Sequence, residues 1–389
     1  MKDRNKMNIG IIVDSLRNGG AERVAARLSQ YFSKKNEVYI FTNTYNRRKD
    51  YPIGGRVILL KRQDKINNRW EELKDIVDVT RQLRKYKREF SLDACISFVP
   101  EYNLVNILSK REEKCIVSIH SVQSLRKEWR HLIAHKKYIF KYLYRMADKV
   151  VTVSQYCKND LVENLGVNEK KIQVIGNPIP MIKEEECDNF PKKYILYCGR
   201  LDEVKQVWHI IWAYYIVEKK HPETEMLILG EGKEKTDLLR LSQQLGVEEK
   251  VKFGGFKDDI YSYMKESYCL VLSSKSEAFS CVAAEALSVG CPVVATDSPG
   301  GIREIVAPNT VWRGKMSKYE IGECGILTSS MTEKWNKKRK GITKNEKQLA
   351  DAIIYMIEHN DLTWHKKCIN RAGQFFMERI GPQWDELLS

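Results

Sequence analysis

Two glutamates, Glu277 and Glu285, are separated by seven residues in Ser274-Lys-Ser-Glu277-Ala-Phe-Ser280-Cys-Val-Ala-Ala-Glu285-Ala-Leu. The segment follows an apolar run, Leu270-Val-Leu-Ser273, and Ala283 to Val289 consists mostly of good helix formers. Strand, turn and helix in that order bring the amides of Phe279, Ser280 and Cys281 to a helix N-terminus. Unpaired N–H groups and the positive end of the dipole suit a phosphate there. Glu277 falls in the turn and Glu285 about one turn into the helix. Acidic residues near a helix start also merely complement its dipole, so the pair alone leaves both readings open. Gly199-Arg200-Leu-Asp-Glu-Val-Lys205 follows another apolar run. Arginine forks to two phosphate oxygens and lysine acts as a point charge, whereas Arg200 with Asp202 equally makes a surface ion pair. Gly19-Gly20 permits positive φ and close backbone approach, or serves as an ordinary strand–helix turn. His120 ends the run Cys115 to Ile119, at the strand end that faces the crevice in an open α/β sheet; a lone histidine there is also commonly structural.

The elements that must position these residues alternate along the chain. Met7–Val13, Val38–Thr42, Ala94–Phe98, Cys115–Ile119 and Lys149–Val153 are short apolar runs that predict buried strands. Ala21–Phe32 carries apolar residues at 21, 24, 25, 28 and 32, a helical stripe. The pattern breaks at Ile175-Gly-Asn-Pro-Ile-Pro180 and resumes with Tyr194–Cys198, Met226–Leu229, Val251–Phe253, Cys269–Ser273 and Pro292–Thr296. Strands alternating with helices predict parallel sheets covered on both faces. Two doubly wound domains follow, joined by a linker near 178–191. The Lys334–Lys340 run predicts a solvated loop.

Composition narrows the function. Of 389 residues, 43% are apolar, enough for packed cores and against wholesale disorder. Formal net charge is +15. Residues 1–180 hold 36 Lys and Arg against 20 Asp and Glu, and residues 181–389 hold 30 against 31, so the excess lies in the first half. That asymmetry is either a solvated face or a surface for an anionic partner. Leu125–Ala147 mixes apolar positions with Lys and Arg and three tyrosines, the composition of a helix that packs inward, lies on anionic lipid, or does both. No apolar run reaches the roughly 18 residues of a membrane span, and Ile9–Val13 ends in Asp14 without a signal-peptide cleavage site. The ten cysteines stand singly, with no C-x-x-C pair, which predicts free buried thiols in a reducing cytoplasm and no structural zinc.

Glu277-x7-Glu285, in its setting, resembles the E-x7-E motif of glycosyltransferase family 4. Gly19-Gly20-Ala-Glu-Arg, His120, Tyr197-Cys-Gly-Arg200 with Lys205, and Gly230-Glu-Gly232 agree with it in order and spacing, so the resemblance runs along nearly the whole chain. It implies a retaining hexosyltransferase of the GT-B type, α/β, with two Rossmann-like doubly wound domains facing across a cleft. Residues 1–180 would form the acceptor domain and 190–371 the nucleotide-sugar donor domain, with a C-terminal helix of about 372–389 packing back on the first. The resemblance further implies that Glu277 accepts hydrogen bonds from donor-sugar hydroxyls and that Glu285 binds the ribose. Arg200 and Lys205 would grip the donor diphosphate, with the amides of Phe279, Ser280 and Cys281 at the distal phosphate. His120 would face the donor sugar, as a catalytic or positioning group, and Gly19 and Gly20 would border the donor phosphates and the acceptor. Val251-Lys-Phe253-Gly254-Gly-Phe256 looks like the nucleobase loop, with Phe256 either stacking or in the core. Ser298-Pro-Gly-Gly301-Ile-Arg-Glu304 is similar to a loop in users of UDP-sugars. One departure stands out: where the family pattern has Lys followed by Gly or Asn, this chain has Lys205-Gln206.

The expected donor is therefore a nucleotide-diphosphate sugar, with UDP favoured, and the expected acceptor a glycan or lipid-linked sugar in cell-surface polysaccharide assembly. The expected location is the cytoplasm, peripherally on the anionic inner face of the membrane. Neither metal nor cofactor is expected, because two cations and a helix N-terminus face the diphosphate and no D-x-D stands in a matching place. Two other classes compete. A nucleic-acid or anionic-surface binder on a Rossmann scaffold would use the basic half, but lacks a recognised module and leaves the ordered segments unexplained. A nucleotide-sugar epimerase would turn over the donor without an acceptor.

Overall fold

The computed structural model describes residues 6–17, 19–61, 69–125, 133–182, 194–310, 316, 318–331, 335–337, 339 and 341–389. The chain divides into two compact units, residues 1–178 with 377–389, and residues 179–376.

The first unit holds a seven-stranded sheet of β1 (Asn8–Ile12), β2 (Glu37–Thr42), β3 (Arg56–Leu59), β4 (Ala94–Ser97), β5 (Lys114–Ile119), β6 (Lys149–Thr152) and β7 (Ile172–Val174). Their order is β3-β2-β1-β4-β5-β6-β7, and every pairing is parallel. Helices cover both faces, so the central strands are apolar throughout: Ile9, Ile11 and Ile12 are all fully buried. Edge strand β3 is half-buried to exposed, which is why its short Arg-Val-Ile-Leu run carries little periodic signal.

The Gly20–Phe32 helix buries Val24, Ala25, Leu28 and Phe32 against the sheet, the stripe its spacing predicts. The last helix, Met377–Leu388, belongs to this same unit. Its Trp384 lies 6.2 Å from Phe98, and Asp385 Oδ2 accepts a 2.6 Å hydrogen bond from the Tyr31 hydroxyl. Burial, and then that bond, push the Tyr31 pKa up to about 12.

The second sheet comprises β8 (Tyr194–Cys198), β9 (Glu225–Leu229), β10 (Val251–Gly255), β11 (Ser267–Leu272), β12 (Val293–Thr296), β13 (Glu320–Ile321) and β14 (Gly325–Thr328). The order is β10-β9-β8-β11-β12-β14-β13, parallel except for the β13–β14 edge pair. Strand β14 is absent from the sequence reading. Its four residues are all buried, but Gly-Ile-Leu-Thr holds only two large apolar side chains and is indistinguishable from a core turn without its partner β12.

One expectation needs correction, and one is only partly within the described residues. The Lys334–Lys340 run is not simply a solvated loop: Trp335 stacks on Trp208 at 4.8 Å, and the Arg339 guanidinium sits 4.8 Å from the Trp212 ring centroid while bonding Glu346. An aromatic and a guanidinium inside a charged run supply the flat surfaces that dock it. In the Leu125–Ala147 stretch, residues 126–132 lie outside the described residues, and the helix spans Ile133–Met146. Phe140 and Tyr144 are core residues, with Leu143 packed against them, whereas Lys141, Tyr142, Arg145 and Met146 are exposed. Among the described residues no helix is long and apolar enough to cross a membrane.

Candidate active site

Neighbouring strands β8 and β11 flank the point where the second sheet reverses its order, and open α/β sheets bind ligands beyond the carboxyl ends of such strands. Strand β8 ends at Cys198 and continues through Gly199–Gln206 into the Val207–Lys220 helix. Strand β11 ends at Leu272, and residues 273–280 lead into the Cys281–Leu287 helix. Lys205 and Glu277, 72 residues apart, meet here: Nζ lies 2.5 Å from Oε2, and both side chains are largely shielded.

Arg200 takes the surface option. It is 65% exposed, and its Nε lies 3.2 Å from Asp202 Oδ2. Asp202 Oδ1 also accepts from the amides of Val204 and Lys205, so one carboxylate shapes the turn that presents Arg200 and Lys205. Phe279 packs edge-on against Phe375 at 5.3 Å; Ser280 is buried, and Cys281, half-buried, opens the helix. Glu285 lies in that helix and is buried.

The turn that carries Glu277 is held by the segment after β12. The Glu277 amide donates to the Pro299 carbonyl at 3.0 Å, the Ser276 hydroxyl to the same oxygen at 3.1 Å, and the Gly301 amide to the Glu277 carbonyl at 2.9 Å. Gly300 has φ +135°, and a Cβ there would stand 1.9 Å from the Glu277 carbonyl oxygen, so only glycine fits. A similar approach explains Gly230: φ is +141°, and a Cβ would meet the Gly199 carbonyl oxygen at 1.8 Å. Gly-Glu-Gly after β9 thus lets the loop press against the phosphate-binding candidate after β8.

One feature escaped the sequence reading, and a second, the Lys205-Gln206 departure, acquires its physical reason here. Arg303 Nη2 lies 2.7 Å from Asp297 Oδ2, while Nη1 and Nη2 each lie 3.1 Å from Glu320 and Nη1 donates to Thr310 Oγ1 at 2.6 Å. This fork ties the start of the Asp297–Gly301 turn to β13. Burial raises the Asp297 pKa despite the guanidinium, and the two carboxylates raise that of Arg303 against its own desolvation. The available signal was an arginine inside the apolar Ile302–Val306 helix. The second feature is Gln206, whose left-handed backbone (φ +50°, ψ +41°) accounts for the glycine or asparagine of the family pattern.

Phe253 and Gly254 lie half-buried in β10, whose Gly255 carbonyl accepts from the Gly230 amide at 2.8 Å. Phe256 is 74% exposed and is not a core residue.

In the first unit, His120 follows β5. Its Nε2 lies 2.9 Å from Ser118 Oγ, its ring 5.5 Å from that of Phe98, and its Nδ1 is enclosed without a partner. Burial pushes the imidazole pKa down to about 3, so the ring is neutral in neutral solution. Gly19 caps the Gly20–Phe32 helix in an extended conformation, φ −135°, and neither Gly19 nor Gly20 uses the positive φ that glycine permits, so of the two readings the ordinary strand–helix turn describes them. A Cβ on Gly19 would meet only the Glu22 carboxylate, the movable end of a flexible side chain.

A family model described as Glycosyltransferase Family 4 matches residues 18–181, and one described as Glycosyl transferases group 1 matches residues 181–316. The chain belongs to glycosyltransferase family 4. As a member it is a hexosyltransferase, and its fold class is the expected α/β pair of Rossmann-like domains, GT-B type.

The transferase is 30% identical over 264 residues to an uncharacterised glycosyltransferase of Methanocaldococcus jannaschii, spanning 64% of this chain and 65% of that one. It is 29% identical over 308 residues, 76% of this chain and 82% of the other, to the N-acetylgalactosamine-N,N'-diacetylbacillosaminyl-diphospho-undecaprenol 4-alpha-N-acetylgalactosaminyltransferase of Campylobacter jejuni. Among solved structures, Anabaena HepE in complex with UDP and glucose superposes with a TM-score of 0.73, covering 98% of this chain and 99% of that one. At 20% identity that likeness speaks to the fold.

Proposed function

We propose that the transferase moves a hexosyl or N-acetylhexosaminyl unit, with retention of configuration, from a UDP-sugar to a glycan or lipid-linked acceptor in cell-surface polysaccharide assembly. The observation that carries this reading is the Lys205–Glu277 pair at the β8/β11 switch point. A cation for the diphosphate and a carboxylate for sugar hydroxyls stand side by side, as a sugar diphosphate requires. Lys205, with Arg200 in the same turn, offsets the charge that develops on the leaving diphosphate. The amides of Phe279, Ser280 and Cys281 hold the distal phosphate, Glu285 the ribose, and the β10 loop with Phe256 the base. His120, in the first unit with Gly19 and Gly20, serves the transfer as a neutral hydrogen-bonding group. The UDP bound by HepE and the diphospho-undecaprenol acceptor in the Campylobacter relative's name support the choice of donor and acceptor class.

Calorimetry tests the donor site. Lys205→Ala is expected to weaken UDP binding by about tenfold or more, the loss of one charge-assisted contact, and to leave uridine binding unchanged. Equal losses for the two ligands would place the lysine outside the diphosphate site.

A lipid-linked acceptor calls for contact with the membrane surface. The exposed face of the Ile133–Met146 helix supplies it: Lys141 and Arg145 flank Tyr142, which is 60% exposed, and Met146. Each cation near an anionic leaflet adds about 1 kcal/mol, screened by salt. The transferase is expected to float with anionic vesicles at low salt and to detach at high salt, and Lys141→Glu with Arg145→Glu to float less while binding UDP normally. Equal flotation with neutral vesicles would refute this attachment.

A further inference from the structure

Gln206 carries two costs at one position. Apart from glycines, only Ser91 and Gln206 have positive φ among the described residues. A side chain in the left-handed region costs roughly 1 kcal/mol or more. Gln206 is also 4% exposed, and its Oε1 has no hydrogen-bond partner. A buried acceptor left unpaired is a second penalty.

The surroundings hold the residue in this state. Its amide donates to the Asp202 carbonyl, and the Ser273 hydroxyl, at the end of β11, bonds the carbonyls of Lys205 and Gln206 at 3.1 and 2.9 Å. Lys275 N donates to the Val204 carbonyl at 2.7 Å. The turn after β8 is thereby stitched to the loop that carries Glu277. Local strain maintained by such over-determination is characteristic of ligand sites. Family members that place Gly or Asn here avoid the strain, and neither residue carries the long amide.

We propose that the Gln206 side-chain amide selects the donor by bonding a hydroxyl of the transferred sugar. The assignment rests on the donor-site reading above. Lys205, the preceding residue, is the candidate diphosphate ligand, and it touches Glu277, the candidate sugar ligand. An amide accepts through Oε1 and donates through Nε2, and a sugar hydroxyl does both. Glutamine at this position therefore adds to Glu277 a second, uncharged reader of hydroxyl arrangement.

Gln206→Gly separates the roles, because glycine relieves the backbone and deletes the amide. The variant is expected to melt about 2–4 °C higher. Its affinity for the preferred member of a panel of UDP-glucose, UDP-galactose, UDP-N-acetylglucosamine and UDP-N-acetylgalactosamine should drop about tenfold, while UDP itself binds within twofold of wild type. Gln206→Asn tolerates the left-handed backbone but shortens the amide, and should share the loss. A merely structural glutamine would give higher stability with unchanged sugar discrimination, and that result overturns the proposal; so does an equal loss for UDP and UDP-sugar. Lys205→Ala is the control. If it leaves UDP binding intact, or if wild type binds no member of the panel, the donor-site reading fails and takes this inference with it. If Lys205→Ala weakens UDP and Gln206→Gly leaves the panel unchanged, this inference alone fails.

Discussion

Glu277→Ala is expected to lower turnover about 10- to 150-fold without weakening UDP binding. A charged hydrogen bond contributes roughly 1.5–3 kcal/mol, and its loss in the transition state converts to that range. The split between turnover and binding comes from the 2.5 Å contact with Lys205. In the resting chain the carboxylate neutralises the ammonium; in the variant the ammonium is released to the diphosphate. UDP should bind as tightly as before or tighter, even as the sugar loses its acceptor. Glu277→Gln keeps an acceptor oxygen and should fall between the two. The measurements are steady-state transfer from the preferred UDP-sugar and calorimetry with UDP. Wild-type turnover in Glu277→Ala would remove this residue from the site, and parallel losses of UDP binding and turnover would point to a collapsed loop.

Arg303→Met should be the most destabilising of the substitutions considered. It strips the counter-charge from Asp297, whose side chain is 5% exposed, and from Glu320. Removing one partner of a buried pair costs about 3–5 kcal/mol. At roughly 2–4 °C per kcal/mol for a unit of this size, melting should fall by about 6–20 °C. The deficit has a sign in pH. Burial already raises the Asp297 pKa, and without the guanidinium it rises further above the unfolded value. A raised carboxyl is tolerated while protonated and penalised once ionised, so the gap from wild type should narrow as pH falls and widen as it rises. Arg303→Lys keeps the charge but cannot fork to both carboxylates, and should recover only part. Turnover measured below the melting transition should also drop, because Asp297 begins the turn whose Pro299 and Gly301 hold Glu277. A pH-independent deficit, or one under 1 kcal/mol, would mean that the fork carries little energy.

The residues that identify the family are local in sequence, and so they are readable there. Seven residues between Glu277 and Glu285, the Gly-Arg…Lys turn after an apolar run, and alternating strands and helices each reflect a short-range rule: strand period, helix propensity or turn chemistry. Strands buried on both faces must be apolar throughout, so β1, β4, β5, β8, β11 and β12 announce themselves. Edge strand β3 and strand β14 do not, because one is half-solvated and the other, Gly-Ile-Leu-Thr, carries only two large apolar side chains.

What only the tertiary structure decides is which distant groups share a site and at what cost. Lys205 and Glu277 meet because β8 and β11 are neighbours in the sheet, a pairing that no local pattern encodes. Arg303 reads as a surface charge until Asp297 and β13 fold around it. Gly300 and Gly230 read as ordinary turn glycines until a carbonyl from another loop lies within 2 Å of the missing Cβ. Gln206 breaks the family pattern visibly in sequence, but its left-handed backbone and unpaired side-chain oxygen arise only when the turn is stitched to the loop after β11. Residue types and short spacings set the chemistry on offer; long-range hydrogen bonds and backbone contacts, formed between segments tens of residues apart, determine where it converges.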